Sequence, residues 1–250
     1  MSFIDKYSWK SFLGTQAKNI TINKTYAYWN TSKATNVVLF KGFRSFKKIE
    51  SLTPFTTYYL NEHMIKKLSY RFVVEKHRTK STIIDISKLK ITGKKNKDIK
   101  WAINNINKKN IVIEDNYRKI EDVEFMIKNW KIDGAERYFQ DRSSKNIYFY
   151  KNNYHDECIN IFCYDADKLI SFGTLSPSEK GYSSYILGKA LFNEYKGLSE
   201  YTDVMLFKKG LEFGIKEVDM GDGGKNLKNY KNKFSSAREE IFYHGKIFER

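Results

Sequence analysis

Gly221-Asp222-Gly223-Gly224 directly follows the strand-like run Glu217-Val218-Asp219-Met220. A carboxylate in a glycine-rich turn at the end of a strand occupies the position where an open sheet binds its ligand. The same four residues also read as a solvated connection, and they match neither a Walker nor a Rossmann sequence. Two lysine clusters stand out. Lys94, Lys95, Lys97, Lys100, Lys108 and Lys109 surround one segment, and Lys225, Lys228, Lys231 and Lys233 follow the glycine turn. Either cluster suits phosphate contact, which would be salt-dependent and largely blind to base sequence; either also suits a solvated face. The histidines, His63, His77, His155 and His244, form no HxxxH or HExxH pair, so no metal site is expected. No Gly-x-Ser-x-Gly elbow is present, which argues against a serine hydrolase. Cys158 and Cys163 are an odd number of positions apart, so on one strand they would face opposite sides. They read as two reduced core thiols in a cytoplasmic protein.

The elements that position these groups must come from a folded core. Of the 250 residues, 41% are hydrophobic and 16% aromatic, the opposite of a disordered composition. The formal net charge of +16 draws phosphates: nucleic acid, an anionic membrane surface or a phosphorylated cofactor. A chain rich in Lys, Asn and Ile also acquires such a charge from AT-rich coding DNA, and both origins stay open. Met1-Ser2-Phe3-Ile4-Asp5 begins no apolar run of signal-peptide length, and no window approaches a membrane span.

Strands are predicted at Tyr26–Trp29, Val37–Phe40, Arg71–Glu75, Thr82–Ile86 and Ile111–Glu114. Helical stripes run through Leu60, Met64, Ile65 and Leu68, through Ile99, Ala102, Ile103 and Ile106, and through Val123, Met126, Ile127 and Trp130. The polar stretch 133–145 is a linker or a substrate loop and separates two halves, residues 1–135 and 136–250. In the second half Ile147–Tyr150 and Cys158–Tyr164 read as strands, and Leu169–Leu175 completes a hairpin through the turn Asp165–Lys168. Tyr182–Leu187 extends that sheet. A helix from Tyr201 ends at Gly214, a C-cap glycine. Glu217–Gly221, a short helix Leu227–Phe234 and a strand Glu240–His244 finish the chain.

This order, with Tyr195-Lys196-Gly197-Leu198-Ser199, Val218-Asp219-Met220-Gly221 and Tyr230-Lys231-Asn232-Lys233-Phe234, resembles the GNAT acyltransferase superfamily. The resemblance is closer to its double-domain branch, which holds Fem-type aminoacyl-tRNA-dependent transferases and the C-terminal domain of phosphatidylglycerol lysyltransferases. Asp85-Ile86-Ser87-Lys88-Leu89 before Gly93-Lys94-Lys95 resembles the "D-x-x-x-L-x-G-K-K" segment of that branch. The match covers roughly residues 80–245. It implies an α/β fold of two GNAT-like halves with mixed sheets.

The resemblance also implies the site. Glu194-Tyr195-Lys196-Gly197-Leu198-Ser199 falls where ordinary acetyl-CoA enzymes carry Gln/Arg-x-x-Gly-x-Gly/Ala, so Lys196, Gly197, Leu198 and Ser199, with Lys228, are the expected donor-binding residues. A loop of this kind cradles pyrophosphate on backbone N–H groups, and Glu194 in place of a basic or amide residue disfavours one. Lys231 matches the lysine of the Fem-type "Phe-Lys-x-x-Phe" element, with Tyr230 and Phe234 in the aromatic places. There it would hold donor phosphate or stabilise oxyanion charge; otherwise it is one more surface lysine. Asp222 would accept a proton from, or hold, an acceptor amine. The implied reaction moves an acyl or aminoacyl group from acyl-CoA, a carrier-protein thioester or aminoacyl-tRNA to an amine or hydroxyl, without a tightly bound cofactor. The implied partners are tRNA or a carrier protein. A non-catalytic nucleic-acid binder keeping the fold is the alternative, and contact with an anionic surface is a third. The transferase reading requires a splayed sheet with a cleft beside Lys231.

Overall fold

In a computed structural model the described residues are 21–23, 26–30, 35–39, 47–60, 62–91, 96–129, 146–177, 181–221, 225–234 and 236–250. They form β1 (Thr21–Ile22), β2 (Tyr26–Asn30), β3 (Thr35–Leu39), α1 (Lys47–Glu50), β4 (Phe55–Leu60), α2 (Glu62–Ser69) and β5 (Phe72–Asp85). These are followed by α3 (Lys97–Ile106), β6 (Ile111–Glu114), α4 (Ile120–Asn129) and α5 (146–151). The second half adds β7 (Ile159–Asp165), β8 (Lys168–Leu175), β9 (Tyr182–Ala190), α6 (Leu198–Glu212), β10 (Glu217–Asp219), α7 (Lys225–Lys231) and β11 (Ala237–Glu249).

All eleven strands join one mixed sheet in the order β1-β2-β3-β4-β11-β5-β10-β9-β8-β7-β6. The chain does not fill this sheet in sequence order. β11, the last strand, inserts between β4 and β5 and pairs with β5 along its whole length, from Ala237↔Ile84 to Glu249↔Phe72. β6 crosses the other way to pair with β7. Three apolar clusters fill the space between sheet and helices. Val37, Leu39, Phe55, Leu60, Leu68 and Ile247 make the first. Ile84, Ile99, Ile103, Val204, Phe207, Val218 and Phe234 make the second, under α3 and α6. Met126, Phe149, Tyr150, Phe162, Tyr164 and Phe172 make the third, on α4 and α5.

Most predicted elements occur near their expected bounds. Gly214 follows α6 with φ +76° and meets nothing within 4 Å of an added Cβ, so it ends the helix as a left-handed residue. Four expectations are corrected. Ile147–Tyr150 lies in α5, not a strand. The Ile-Tyr-Phe-Tyr sequence has strand propensity, but Phe149 and Tyr150 are wholly buried against Phe162 and Phe172, and that packing outweighs local preference. The two strands expected at Arg71–Glu75 and Thr82–Ile86 are one unbroken strand, β5, over Phe72–Asp85, because β11 supplies a partner along its exposed middle, and Ile86 opens a 3-10 turn. Leu60 ends β4 instead of opening a helix. The last strand extends from Ala237 to Glu249, well beyond Glu240–His244. Trp130 and the 133–145 stretch lie outside the described residues.

The register of α3 against α6 depends on Gly197. Its φ is +87°, and a Cβ there would lie 2.8 Å from Ala102 Cβ and 2.9 Å from Ala102 Cα. The second contact is with backbone, so the helices would have to separate. Gly197→Ala is expected to destabilise the protein by about 1–3 kcal/mol through positive-φ strain and overpacking, measured as a lower urea midpoint with unchanged slope.

Candidate functional site

β9 and β10 run parallel but share only the pairs Glu217↔Tyr182, Val218↔Ser183 and Asp219↔Ser184. Beyond these, β9 continues along β8 as far as Ala190↔Ser171. The chain after β10 stays with β5 instead: Met220 N–H donates to Thr82 O at 2.9 Å, and Thr82 N–H donates to Gly221 O at 3.2 Å. The sheet therefore opens between Tyr185 and Met220. α7 reaches Gly221 through its last residue, Lys231, which follows Tyr230.

Lys231 is 3% exposed, so it is not a surface lysine. Its Nζ donates to Gly221 O at 2.6 Å. Gly221 N–H donates in turn to Asp219 Oδ1 at 2.7 Å. Asp219 is buried and accepts two further bonds, from Ser81 Oγ and from Tyr182 Oη, the latter at 2.8 Å. One buried carboxylate thus fixes the turn whose carbonyl holds the lysine. Burial pushes the Asp219 pKa up, while its three donors and the Lys231 charge pull it back. Val218 and Ile84 belong to the core beneath α6, so strand alternation turns Asp219 to the opposite face.

Tyr230 engages a second buried carboxylate, on the α6 side. Its Oη donates to Asp203 Oδ2 at 2.7 Å, and Tyr185 Oη donates to Asp203 Oδ1 at 2.6 Å. Tyr185 reaches Asp203 by lying along its own strand: a Cβ at Gly188 would sit 1.8 Å from the Tyr185 hydroxyl. Asp203 is 4% exposed, and burial pushes its pKa up to about 6 against the lowering effect of the two phenols. A carboxyl that exchanges its proton near neutrality and bonds to a phenol has the parts of a proton acceptor, and the buried ammonium of the next residue carries the charge of an oxyanion donor.

The predicted donor-binding residues lie at the N-terminus of α6. Lys196 is exposed and its carbonyl accepts from Asn105 Nδ2 at 2.9 Å. Gly197 packs on α3, Leu198 is fully buried, and Leu198 N–H donates to Tyr195 O at 3.0 Å. Ser199 is half-buried. Glu194 is ion-paired with Lys168 at 2.6 Å. Lys228 is exposed and pairs with Glu239, which Lys80 also holds at 2.8 Å. Lys231 and Tyr230, adjacent in sequence, thus engage different groups, Gly221 O and Asp203, and Ser199 lies one helical turn before Asp203. Asp222, with Gly223 and Gly224, lies outside the described residues. His155 is buried, its ring centre 5.0 Å from that of Tyr117 and 5.2 Å from that of Tyr150.

Sequence reasoning missed Asp203 and Tyr185. The available signal was an aspartate inside Tyr201-Thr202-Asp203-Val204, within a helix buried on nearly every side, where a carboxylate requires partners. Among the described residues no three His, Cys, Asp or Glu side chains gather as a metal site, and no helix is long and apolar enough to cross a membrane.

The arrangement matches solved structures. No family model and no curated protein matches the sequence. L-PGS from Bacillus licheniformis superposes with a TM-score of 0.68 at 13% identity, over 94% of this chain and 86% of that one. FemX superposes with a TM-score of 0.66 at 10% identity, over 99% and 92%. A GNAT-family acetyltransferase from Colwellia psychrerythraea gives 0.51 at 8% identity, over 91% and 82%. The chain has the mixed α/β fold of GNAT-type proteins.

Asp203 makes stability depend on pH in a defined sense. Its folded-state pKa lies above the unfolded value of 3.8, so its contribution is fully present below pH 3.8 and is lost as pH rises through about 6. Asp219 shifts in the same direction. Asp203→Asn is expected to flatten the fall in urea midpoint between pH 4 and 6.5, measured against the parent protein at matched ionic strength.

Proposed function

We propose that this protein transfers an aminoacyl group from aminoacyl-tRNA to an amine or hydroxyl acceptor at the β9–β10 fork. The observation that carries this reading is the buried Lys231 ammonium, held at the mouth of the fork by a backbone carbonyl whose turn Asp219 anchors. A donor ester carbonyl entering the fork meets that ammonium, which stabilises the oxyanion as the acceptor attacks. The acceptor's proton passes to Tyr230 Oη while the Tyr230 proton passes to the Asp203 carboxylate. Collapse of the tetrahedral intermediate returns a proton along the same path to the departing ribose oxygen. No covalent enzyme intermediate is required; positioning and charge supply the rate. Asp222 would hold the acceptor in this scheme.

The α6 loop supports an RNA carrier over coenzyme A. A pyrophosphate requires free N–H groups on an open loop. Here α3 covers the Gly197 face, Leu198 N–H is already bonded, and the residue in the basic position is Glu194. The structures with TM-scores of 0.68 and 0.66 include FemX and L-PGS, and the chain covers most of each.

Labelled aminoacyl-tRNA and labelled acyl-CoA, supplied separately with a panel of amines and hydroxyls, test this reading. Transfer is expected from the tRNA ester alone. Lys231→Met is expected to lower kcat about 10²–10³-fold with the fold intact, as for loss of an oxyanion donor. Tyr230→Phe is expected to lower kcat and to remove the loss of activity below about pH 6 that protonation of Asp203 imposes on the parent. Transfer from acyl-CoA, or full activity in Lys231→Met, would overturn it.

A further inference from the structure

The outer face of α3 carries side chains that neither the core nor the fork uses. Ile99, Ala102, Ile103 and Ile106 turn inward. The helical period places Lys97, Lys100, Trp101 and Asn104 together on the opposite side, Lys108 follows two residues after the helix, and all five are exposed. Trp101 is 52% exposed. Its ring edge comes within 3.3 Å of a Cβ position on Gly197, so the indole lies beside the loop that opens α6. Lys196 extends from that loop, and Lys109 Nζ lies 5.1 Å from the Tyr195 ring centre.

Among the described residues, Lys97, Lys100, Lys108, Lys109 and Lys196 form no ion pair with a carboxylate. The nearby acidic groups are engaged elsewhere: Glu194 with Lys168 at 2.6 Å, Glu200 with Lys233 at 2.5 Å, and Asp165 with the Tyr195 hydroxyl at 2.7 Å. Asp98, on the flank of α3, is the exception. An exposed indole ringed by free ammonium groups matches a planar base with phosphates on either side. A membrane anchor would place further apolar side chains around the indole. Here its neighbours on the helix face are lysines and an asparagine.

We propose that a single-stranded RNA end docks on this face, with a base stacked on Trp101 and its flanking phosphates held by Lys100, Lys108 and Lys196. The inference rests on the aminoacyl-tRNA reading of the fork and adds the path by which the carrier reaches it. That path is short. Trp101 abuts Gly197, Glu200 lies one turn along α6, and Lys233, paired with Glu200, is two residues from Lys231. A duplex keeps its base faces stacked, so this platform selects an unpaired segment.

Direct binding measurements test the proposal with three probes: a short single-stranded RNA, a blunt RNA duplex of equal length, and phosphatidylglycerol vesicles. The parent protein is expected to prefer the single strand. Trp101→Ala should weaken that binding about tenfold or more while leaving its salt slope unchanged, and Trp101→Phe should restore most of it. Lys100→Ala with Lys108→Ala should lower the slope of log affinity against log salt by about 0.7 per lysine removed. Equal binding by Trp101→Ala and parent would overturn the proposal, as would duplex or vesicle binding at least as tight as single-strand binding. These assays need no turnover. A parent protein that binds the single strand through Trp101 but transfers nothing would sink the transferase reading and leave the docking face standing. Transfer that survives with unchanged KM in Trp101→Ala would do the reverse.

Discussion

Two parallel strands that stop hydrogen-bonding to each other expose backbone groups, and buried backbone groups must find other partners. That constraint organises the C-terminal half of this molecule. Past Asp219 and Ser184 the sheet parts, and the Gly221 peptide is left at the fork. Its N–H is taken by the Asp219 carboxylate and its carbonyl by Lys231 and Thr82. The buried lysine is the second donor to a carbonyl that Thr82 already holds. Its position is set by the same bonds that keep the fork open.

The two buried aspartates divide the work by face. Asp219 lies on the side away from α6, with Ser81 and Tyr182, and fixes the turn. Asp203 lies on the α6 side, with Tyr185 and Tyr230, and ties α7 to α6. Each is stripped of water, which raises its affinity for a proton, and each receives donors that restrain the rise. Removing the Tyr185 or Tyr230 hydroxyl takes from one Asp203 oxygen its donor among the described residues, at a cost of about 1–3 kcal/mol. The arrangement is stable only when complete, and its chemistry and its architecture share the same bonds. The surface around the α6 loop differs in kind, because its lysines and its indole contribute little to the fold.

Much of this was legible in the sequence by itself. Apolar spacing located α3 and α4, because periodic burial is a local pattern, whereas β7, β8 and α6 are buried on nearly every side and were located from their apolar runs and bounding turns. Gly214 marked a helix end, and Tyr230-Lys231 with Phe234 marked the segment that carries the fork's lysine. Only the tertiary structure decided the rest. Ile147–Tyr150 became helical because aromatic packing outweighed strand propensity. β5 became one long strand because β11, the last in sequence, pairs along all of it. Lys231 is buried against Gly221, ten residues away, and Asp203 gathers Tyr185 and Tyr230 from segments 18 and 27 residues away. A side chain's type and its near neighbours specify local geometry. Its depth and its distant partners follow from how the sheet is assembled, which no window of sequence contains.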